Sequence, residues 1–451
     1  MIRLNGQIRF FKATSFHMKR FLLSILIISI LPTILSAQNT DTVLGDHLIP
    51  FETITEFDSL FEEIDGQRLV LMGEATHGTS EFYNWRAELS KYLITEKGYN
   101  FIAVEGDWPA FSRINAYVKQ KPGAPETIED AMDFLDRWPY WMWRNNEVKE
   151  LIQWIYDFNS NLEPEERVGF YGIDLYAKQQ AMEDVISWFE NIDGDQSERV
   201  SRMYACLSRF SEVRDYLMRV NQTGDDCSVE MEEVLEKVQA QGDDPEIAQT
   251  WDFFNAEQNA KLVVNAERHY RANLEQSPAA WNHRAGHFQL TASRLVDYYG
   301  EQSKGIVWAH NTHIGDARAT DMGRQGMENI GQLSREEWGN EQVYAIGFGT
   351  HRGEVYAARQ WEGQRENMEI PPAISGSWED MLNQAGHDQA YLLFSSGDLQ
   401  EALNRNIPHR AIGVTYQPEQ ESRGNYVNTV LPERYNAFIY IRETTVLHAL
   451  D

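Results

Sequence analysis

Along this chain, short continuous apolar runs alternate with longer stretches whose apolar positions recur at helical spacing. Arg68 to Met72 is a run of the first kind, short enough for a buried strand, and it gives way to Gly73-Glu74-Ala75-Thr76-His77-Gly78. Beyond that turn, Phe82, Trp85, Leu89, Tyr92 and Leu93 fall at i, i+3, i+7, i+10 and i+11, which predicts a helix capped by Thr79 or Ser80 and ended by Lys97-Gly98. Arg86 lies at the margin of that apolar stripe, so it must either reach water or meet a carboxylate. Tyr99 to Val104 reads as the next strand and stops at Glu105. Strand, helix and strand in this order imply parallel strands ending on one edge of a sheet, which brings Glu74 and Glu105 together.

The pattern continues in both directions. Phe51 to Ile64 and Glu147 to Asn159 read as helices, and Gly106-Asp107-Trp108-Pro109 opens another that runs to about Lys119. The tryptophan-rich stretch Phe134 to Arg144 suits core packing and a substrate-facing wall equally. Arg167 to Asp174 is a third strand ending in an acid. From Lys178 to Tyr299 the stripes are long and helical, and strands return at Gly305 to Ala309, Gln342 to Gly349, Ala390 to Phe394, Ala411 to Val414 and Ala437 to Ile441. The expected fold is α/β, with a central, largely parallel sheet flanked by helices. Residues 38–177 and 300–451 would form its core, and 178–299 a helical insertion.

Composition adds the compartment and the excluded partners. The first 37 residues hold Arg3, Arg9, Lys12, Lys19 and Arg20 with no acid, then the apolar run Phe21 to Leu35 and Ser36-Ala37. This predicts a signal peptide cleaved after Ala37 and export to the periplasm or the cell exterior, with an uncleaved membrane anchor as the alternative. Loss of those five cations takes the formal net charge from -29 to -34. Such a surface repels phosphate backbones and anionic lipid, which argues against nucleic-acid and membrane-surface partners. Cys206 and Cys227 share one helical region, and export permits a disulfide between them.

Several predicted strand ends finish in ionisable residues: Glu74 and His77, Glu105, Asp174, and His310 with His313. The carboxyl edge of a parallel sheet is where α/β proteins bind ligands. A histidine held by a carboxylate can take a proton from water, while other histidines or an arginine stabilise an oxyanion. No G-x-S-x-G elbow is present, so water attack fits better than an acyl-enzyme. The same groups could bind zinc, although GEATH and HNTH lack the HExxH spacing, and no residue is assigned as a metal ligand. His269, His283, His287 and His351 are read as surface or structural.

The motifs GEATHG (Gly73 to Gly78) with Glu81 and Arg86, AVEGDWP (Ala103 to Pro109), WNHR (Trp281 to Arg284), VWAHNTHIGD (Val307 to Asp316), NIGQL (Asn329 to Leu333), IGFGTHRG (Ile346 to Gly353), IGVTYQPEQE (Ile412 to Glu421) and NAFIYIRET (Asn436 to Thr444) resemble the erythromycin esterase family of hydrolases. The resemblance implies ester or lactone hydrolysis without a serine nucleophile. It makes His77 the base, with Glu74, Arg86, Glu105, His310 and His313 lining one site. Arg86 would then fix Glu105 or stabilise developing charge. Trp108, Trp308, Asp174 and Arg284 are the expected substrate contacts. A monomer acting on a small ester or macrolide-type lactone is expected, with no cofactor. A metal-dependent hydrolase and a non-catalytic protein of surface-glycan binding or assembly are the rival readings. Ala285, Met327 and Asn436 stand where the family usually has acids.

Overall fold

The computed structural model describes residues 43–275 and 278–450. The leader read at 1–37 lies outside the described residues. Among those described, no helix is long and apolar enough to cross a membrane.

Among the described residues eleven strands carry the fold: β1 (Ile49–Pro50), β2 (Leu69–Met72), β3 (Phe101–Asp107), β4 (Gly169–Asp174), β5 (Gly305–Trp308), β6 (Val343–Ala358), β7 (Arg365–Ile370), β8 (Gln389–Leu393), β9 (Asn406–Arg410), β10 (Tyr426–Val430) and β11 (Ala437–Thr444). Nine form one sheet in the order β1-β8-β11-β6-β2-β5-β3-β4, with β7 folded back on β6, and β9 and β10 pair separately. From β11 to β4 all neighbours on the path are parallel. β8 runs antiparallel to β11, as do β1 to β8 and β7 to β6. The expected largely parallel α/β sheet is thus present, with antiparallel strands at one side.

β2 and β5, at the middle of the sheet, carry no polar side chain apart from the Trp308 indole N–H because both faces are covered. Leu69 and Leu71 of β2 pack into one core, with Phe101, Ala103 and Val307, against Phe189, Leu262 and Leu295 of the helices between β4 and β5. The alternate residues Val70 and Met72 join Ile102, Val104 and Ile306 in a second core, against Phe82, Leu89, Leu93 and Leu151. Between β4 and β5 the described residues hold helices and no strand, from Lys178–Ile192 to Ala279–Tyr299. The helix Ser80–Lys97 follows Thr79 and ends at Gly98, whose φ of 70° suits a residue without a side chain.

Several expectations are corrected. β3 does not stop at Glu105 but runs to Asp107, and β5 lies between β2 and β3, so the strand before Glu74 and the strand that holds Glu105 share an edge without being neighbours. Local periodicity cannot show that a strand some 200 residues later will insert there. The stretch 51–64 is a short 3-10 turn, Ile54–Glu56, followed by the helix Asp58–Ile64. Ile412 makes an isolated bridge to Thr76, while the strand of this region is β9, upstream of it. β6 continues past Gly349 to Ala358, because its second half pairs with β7.

Cys206 and Cys227 form a disulfide, joining the helix Gly194–Ser208 to the start of Ser228–Gln241. With a sequence separation of 21 residues, its removal in the Cys206→Ser/Cys227→Ser variant is expected to lower unfolding free energy by about 3 kcal/mol. Denaturant titration with and without reductant checks this, and catalytic turnover in the native state should be unchanged.

Candidate active site

The GEATHG turn owes its shape to two glycines. A Cβ on Gly73 would lie 2.0 Å from Asn311 Oδ1, and one on Gly78 would lie 2.0 Å from the Tyr356 carbonyl oxygen. Neither position can hold a side chain without moving β6 or the segment after β5. Asn311 closes this region from the other side. Its amide brackets Phe348, donating to the carbonyl at 2.6 Å and accepting from N–H at 3.2 Å, while its own N–H donates to the Glu74 carbonyl at 2.9 Å.

Glu74 is fully buried and uses both oxygens. Oε1 lies 2.8 Å from His77 Nδ1, and Oε2 accepts from Arg86 Nη2 at 2.6 Å. The Arg86 guanidinium is enclosed by the rings of Tyr83 and Trp308, 4.3 and 4.7 Å from their centroids, which replaces part of its lost hydration. Arg86 is therefore the partner of Glu74, and the anticipated pairing with Glu105 is replaced. Because a carboxylate accepts, the His77 Nδ1 proton faces Glu74 and Nε2 keeps the lone pair.

Arg284, on the helix Ala279–Tyr299, takes the place expected of Arg86. Its Nε and Nη2 donate to the two oxygens of Asp174 at 2.9 and 2.6 Å, and Nη2 also donates to Glu105 Oε1 at 2.9 Å. Nη1 donates to His313 Nε2 at 3.1 Å. The same Nε2 lies 3.4 Å from Glu105 Oε1, so His313 stands between a donor, Arg284, and an acceptor, Glu105. His310 is set differently. Its backbone N–H donates to Glu105 Oε2 at 2.9 Å, and its Nδ1 accepts from the Thr312 N–H at 3.2 Å, leaving the proton on Nε2. His313 Nδ1 is buried without a hydrogen-bond partner among the described residues, and the Ala75 carbonyl stands by the His310 ring.

The three imidazoles differ electrostatically. Burial alone would lower His77, but the charges of Glu105 and Glu74 raise it above its ordinary value. His310 is held well below, by burial and by His77, against the pull of Glu105 and the Ala75 carbonyl. Burial also lowers His313 despite Glu105. Glu105 itself is well below the usual carboxylate range, because His313, His77 and Arg284 outweigh its burial. Burial disfavours the Arg284 charge, and Asp174, Tyr176 and Glu105 more than restore it.

A cleft of about 530 Å³ opens over these groups. His77, Glu105, Asp174, Arg284, His310 and His313 line it, whereas Glu74 and Arg86 stand behind His77. The tryptophan-rich stretch divides: Phe134, Tyr140 and Trp143 line the cleft and Trp141 is core. Trp108 and Trp308 are not in the lining. Trp108 stacks on Tyr171 and donates to Asn255, and Trp308 covers Arg86 and donates to Ser90. Both are expected substrate contacts, but the helix Trp108–Val118 turns Trp108, and the pleat of β5 turns Trp308, into the cores. Sequence reasoning missed Tyr176, Trp281, which stacks on His313 at 4.5 Å, and the Asp107–Arg137 ion pair at the cleft wall. The available signal was position, since Asp107 and Tyr176 lie two residues beyond Glu105 and Asp174. Burial and Asp174 raise Asp107 despite Arg137.

Comparison with known proteins agrees with this architecture. The sequence profile described as erythromycin esterase matches residues 94–444, which include Glu105, Asp174, Arg284, His310 and His313 and begin downstream of GEATHG. The chain is 22% identical over 413 residues to the putative hydrolase YbfO of Bacillus subtilis (strain 168), covering 85% of each chain. It is 29% identical over 115 residues to erythromycin esterase type I of Escherichia coli, covering 25% of this chain and 28% of that protein. The crystal structure of a succinoglycan biosynthesis protein shares the fold, with a TM-score of 0.75 and 21% identity over 92% of this chain and 98% of that one. On the extent of the profile match, the chain belongs to the erythromycin esterase family of hydrolases.

Proposed function

We propose that the protein hydrolyses a small-molecule ester or lactone by direct attack of water, with His77 as general base. Its family makes it an ester-bond hydrolase, and the observation that carries the mechanism is the pairing of His77 with His310. Their ring centroids are 4.8 Å apart, yet Glu74 leaves His77 with a lone pair towards the cleft while Thr312 leaves His310 with an N–H. A base and an electrophile side by side match what acyl hydrolysis needs.

In this step His77 Nε2 takes a proton from water as the water oxygen bonds to the acyl carbon. The carbonyl electron pair moves onto oxygen, where the His310 ring and the positive charge of Arg284, both in the cleft lining, stabilise the oxyanion. As the tetrahedral species collapses, the bond to the alcohol oxygen breaks and the imidazolium of His77 returns its proton to the leaving alkoxide. Glu74 orients His77 and balances its transient charge, and Arg86 holds Glu74. Arg284 positions Glu105 and His313.

A macrolide-type lactone is the proposed substrate, supported by the family and by the named activity of the Escherichia coli relative. The aromatic cleft walls and its volume of about 530 Å³ suit a ligand of that kind. Export is proposed as well, supported by the leader pattern and by the disulfide, which fits an oxidising compartment. Nothing in the mechanism calls for a metal ion. Glu105 and Asp174 are engaged by Arg284, and among the described residues no group of three histidine, cysteine or acidic side chains is placed to hold an ion.

The rate should climb with pH, because His77 must be neutral to act. The governing apparent pKa should lie above about 6.5, the ordinary imidazole value, since Glu105 and Glu74 overcome the lowering effect of burial. His77→Ala should reduce kcat by about 10²–10⁴-fold and abolish that limb, read by pH-stat hydrolysis with circular dichroism to verify folding. Wild-type turnover in this variant would remove His77 from the role of base. Dialysis against EDTA should leave turnover unchanged; a stoichiometric metal together with lost activity would reject the metal-free step.

A further inference from the structure

Exposed apolar side chains gather around one part of the surface. Phe134, Met218, Leu274 and Trp361 are 37%, 43%, 42% and 54% exposed. Phe134 and Trp361 line the catalytic cleft, and Trp361 also lines a neighbouring groove of about 810 Å³ that contains Met218 and Leu274. The groove runs beside the helix Val213–Thr223 and the C-terminal end of Trp251–Ala272. Cleft and groove meet across Arg137, Tyr176 and Trp361, which line both.

The meeting point is braced. Trp361, on the connection between β6 and β7, packs against Trp138 with centroids 4.5 Å apart and approaches Tyr176 at 6.2 Å. Trp138 donates its indole N–H to the Gly363 carbonyl at 2.9 Å, fastening the same connection. The Tyr176 ring lies beside both the Arg284 guanidinium at 5.1 Å and that of Arg137 at 5.3 Å. A half-exposed indole held by its neighbours presents a fixed apolar face, and a ligand that covers it loses little side-chain freedom. On a chain with a net charge of -29, the side chains of Val213, Leu217, Met218, Leu274 and Trp361, set among Lys178, Glu212 and Arg214, give a groove that opens from the catalytic cleft an apolar wall that calls for a ligand.

We propose that this groove is a second subsite of the catalytic cleft and that it receives the apolar, largely aliphatic arm of a large ester whose scissile carbonyl lies at His77. The proposal rests on the hydrolytic reading and extends it to substrate class. The arm leaves the reacting carbonyl, crosses Trp361 and lies along Met218, Leu217 and Leu274. The carbonyl end is met by the charged floor of the cleft, so the substrate is an amphiphile with its polar part at the reacting end.

The test uses the full chain and p-nitrophenyl esters of acetate, butyrate, octanoate and dodecanoate. kcat/KM should increase with acyl length in the wild-type protein. Met218→Arg, at an exposed position, should lower kcat/KM for the dodecanoate by about tenfold and leave the acetate, which does not reach the groove, unaffected. Val229→Arg, on an exposed apolar position of the helix Ser228–Gln241, should change neither. No dependence on length, or equal losses on short and long esters, would overturn the subsite while leaving hydrolysis intact. Calorimetric titration with decanamide, which lacks the ester bond, reads the groove independently: about tenfold weaker binding to Met218→Arg supports the subsite, and equal affinity overturns it. Groove-dependent decanamide binding without cleavage of any ester would instead reject the hydrolytic reading and retain the subsite.

Discussion

The site depends on one mostly buried cation. Arg284 comes from a helix of the segment between β4 and β5, and its guanidinium is shared by carboxylates at the ends of β3 and β4. Two acids so close would repel if both were ionised, and burial would drive at least one to take up a proton. With Arg284 between them, both are held below their ordinary range. The same residue also reaches His313 and ties the helical segment to the sheet edge. A charge pair in such a place is sensitive to loss of either partner, because the survivor is left buried and unpaired.

Arg86 performs the corresponding task behind His77. It neutralises Glu74 in a fully buried pair, enclosed by two aromatic rings, and never reaches the cleft. The two arginines thus partition the negative charge. Glu74 and Glu105 raise one imidazole, His77, while burial keeps His310 and His313 neutral. Neighbouring rings whose proton affinities are pulled apart can act as base and as hydrogen-bond donors in the same step. The frame that holds them is short-range and stiff: Asn311 against Gly73 and Phe348, and Gly78 against Tyr356.

Much of this was legible in the residues. Strand ends marked by His77, Glu105, Asp174, His310 and His313 do converge on one cleft, with Glu74 behind His77, because parallel strands in an α/β sheet share a carboxyl edge. Helical spacing showed that Arg86 must either reach water or meet a carboxylate. It could not choose between them or between Glu74 and Glu105, since both acids lie at strand ends near that helix and the choice is made by side-chain direction. Arg137 was hidden in a tryptophan-rich stretch equally suited to core and wall, and its residues are in fact divided between the two.

Apolar alternation, glycine and capping signals are local properties, so the sequence alone determined the α/β character, the helical segment after β4 and the set of polar strand ends. Strand order, the insertion of β5 between β2 and β3, and the partner of each arginine are decided by packing between segments far apart in the chain. Trp108 and Trp308 show the difference in single residues. Each stands close in sequence to a residue that lines the cleft, and each is turned by the pleat or the helix into the core, where its ring packs behind the site. Chain position places a residue near a strand end; only the tertiary structure orients its side chain, because orientation is set by which neighbouring surface has room to bury it.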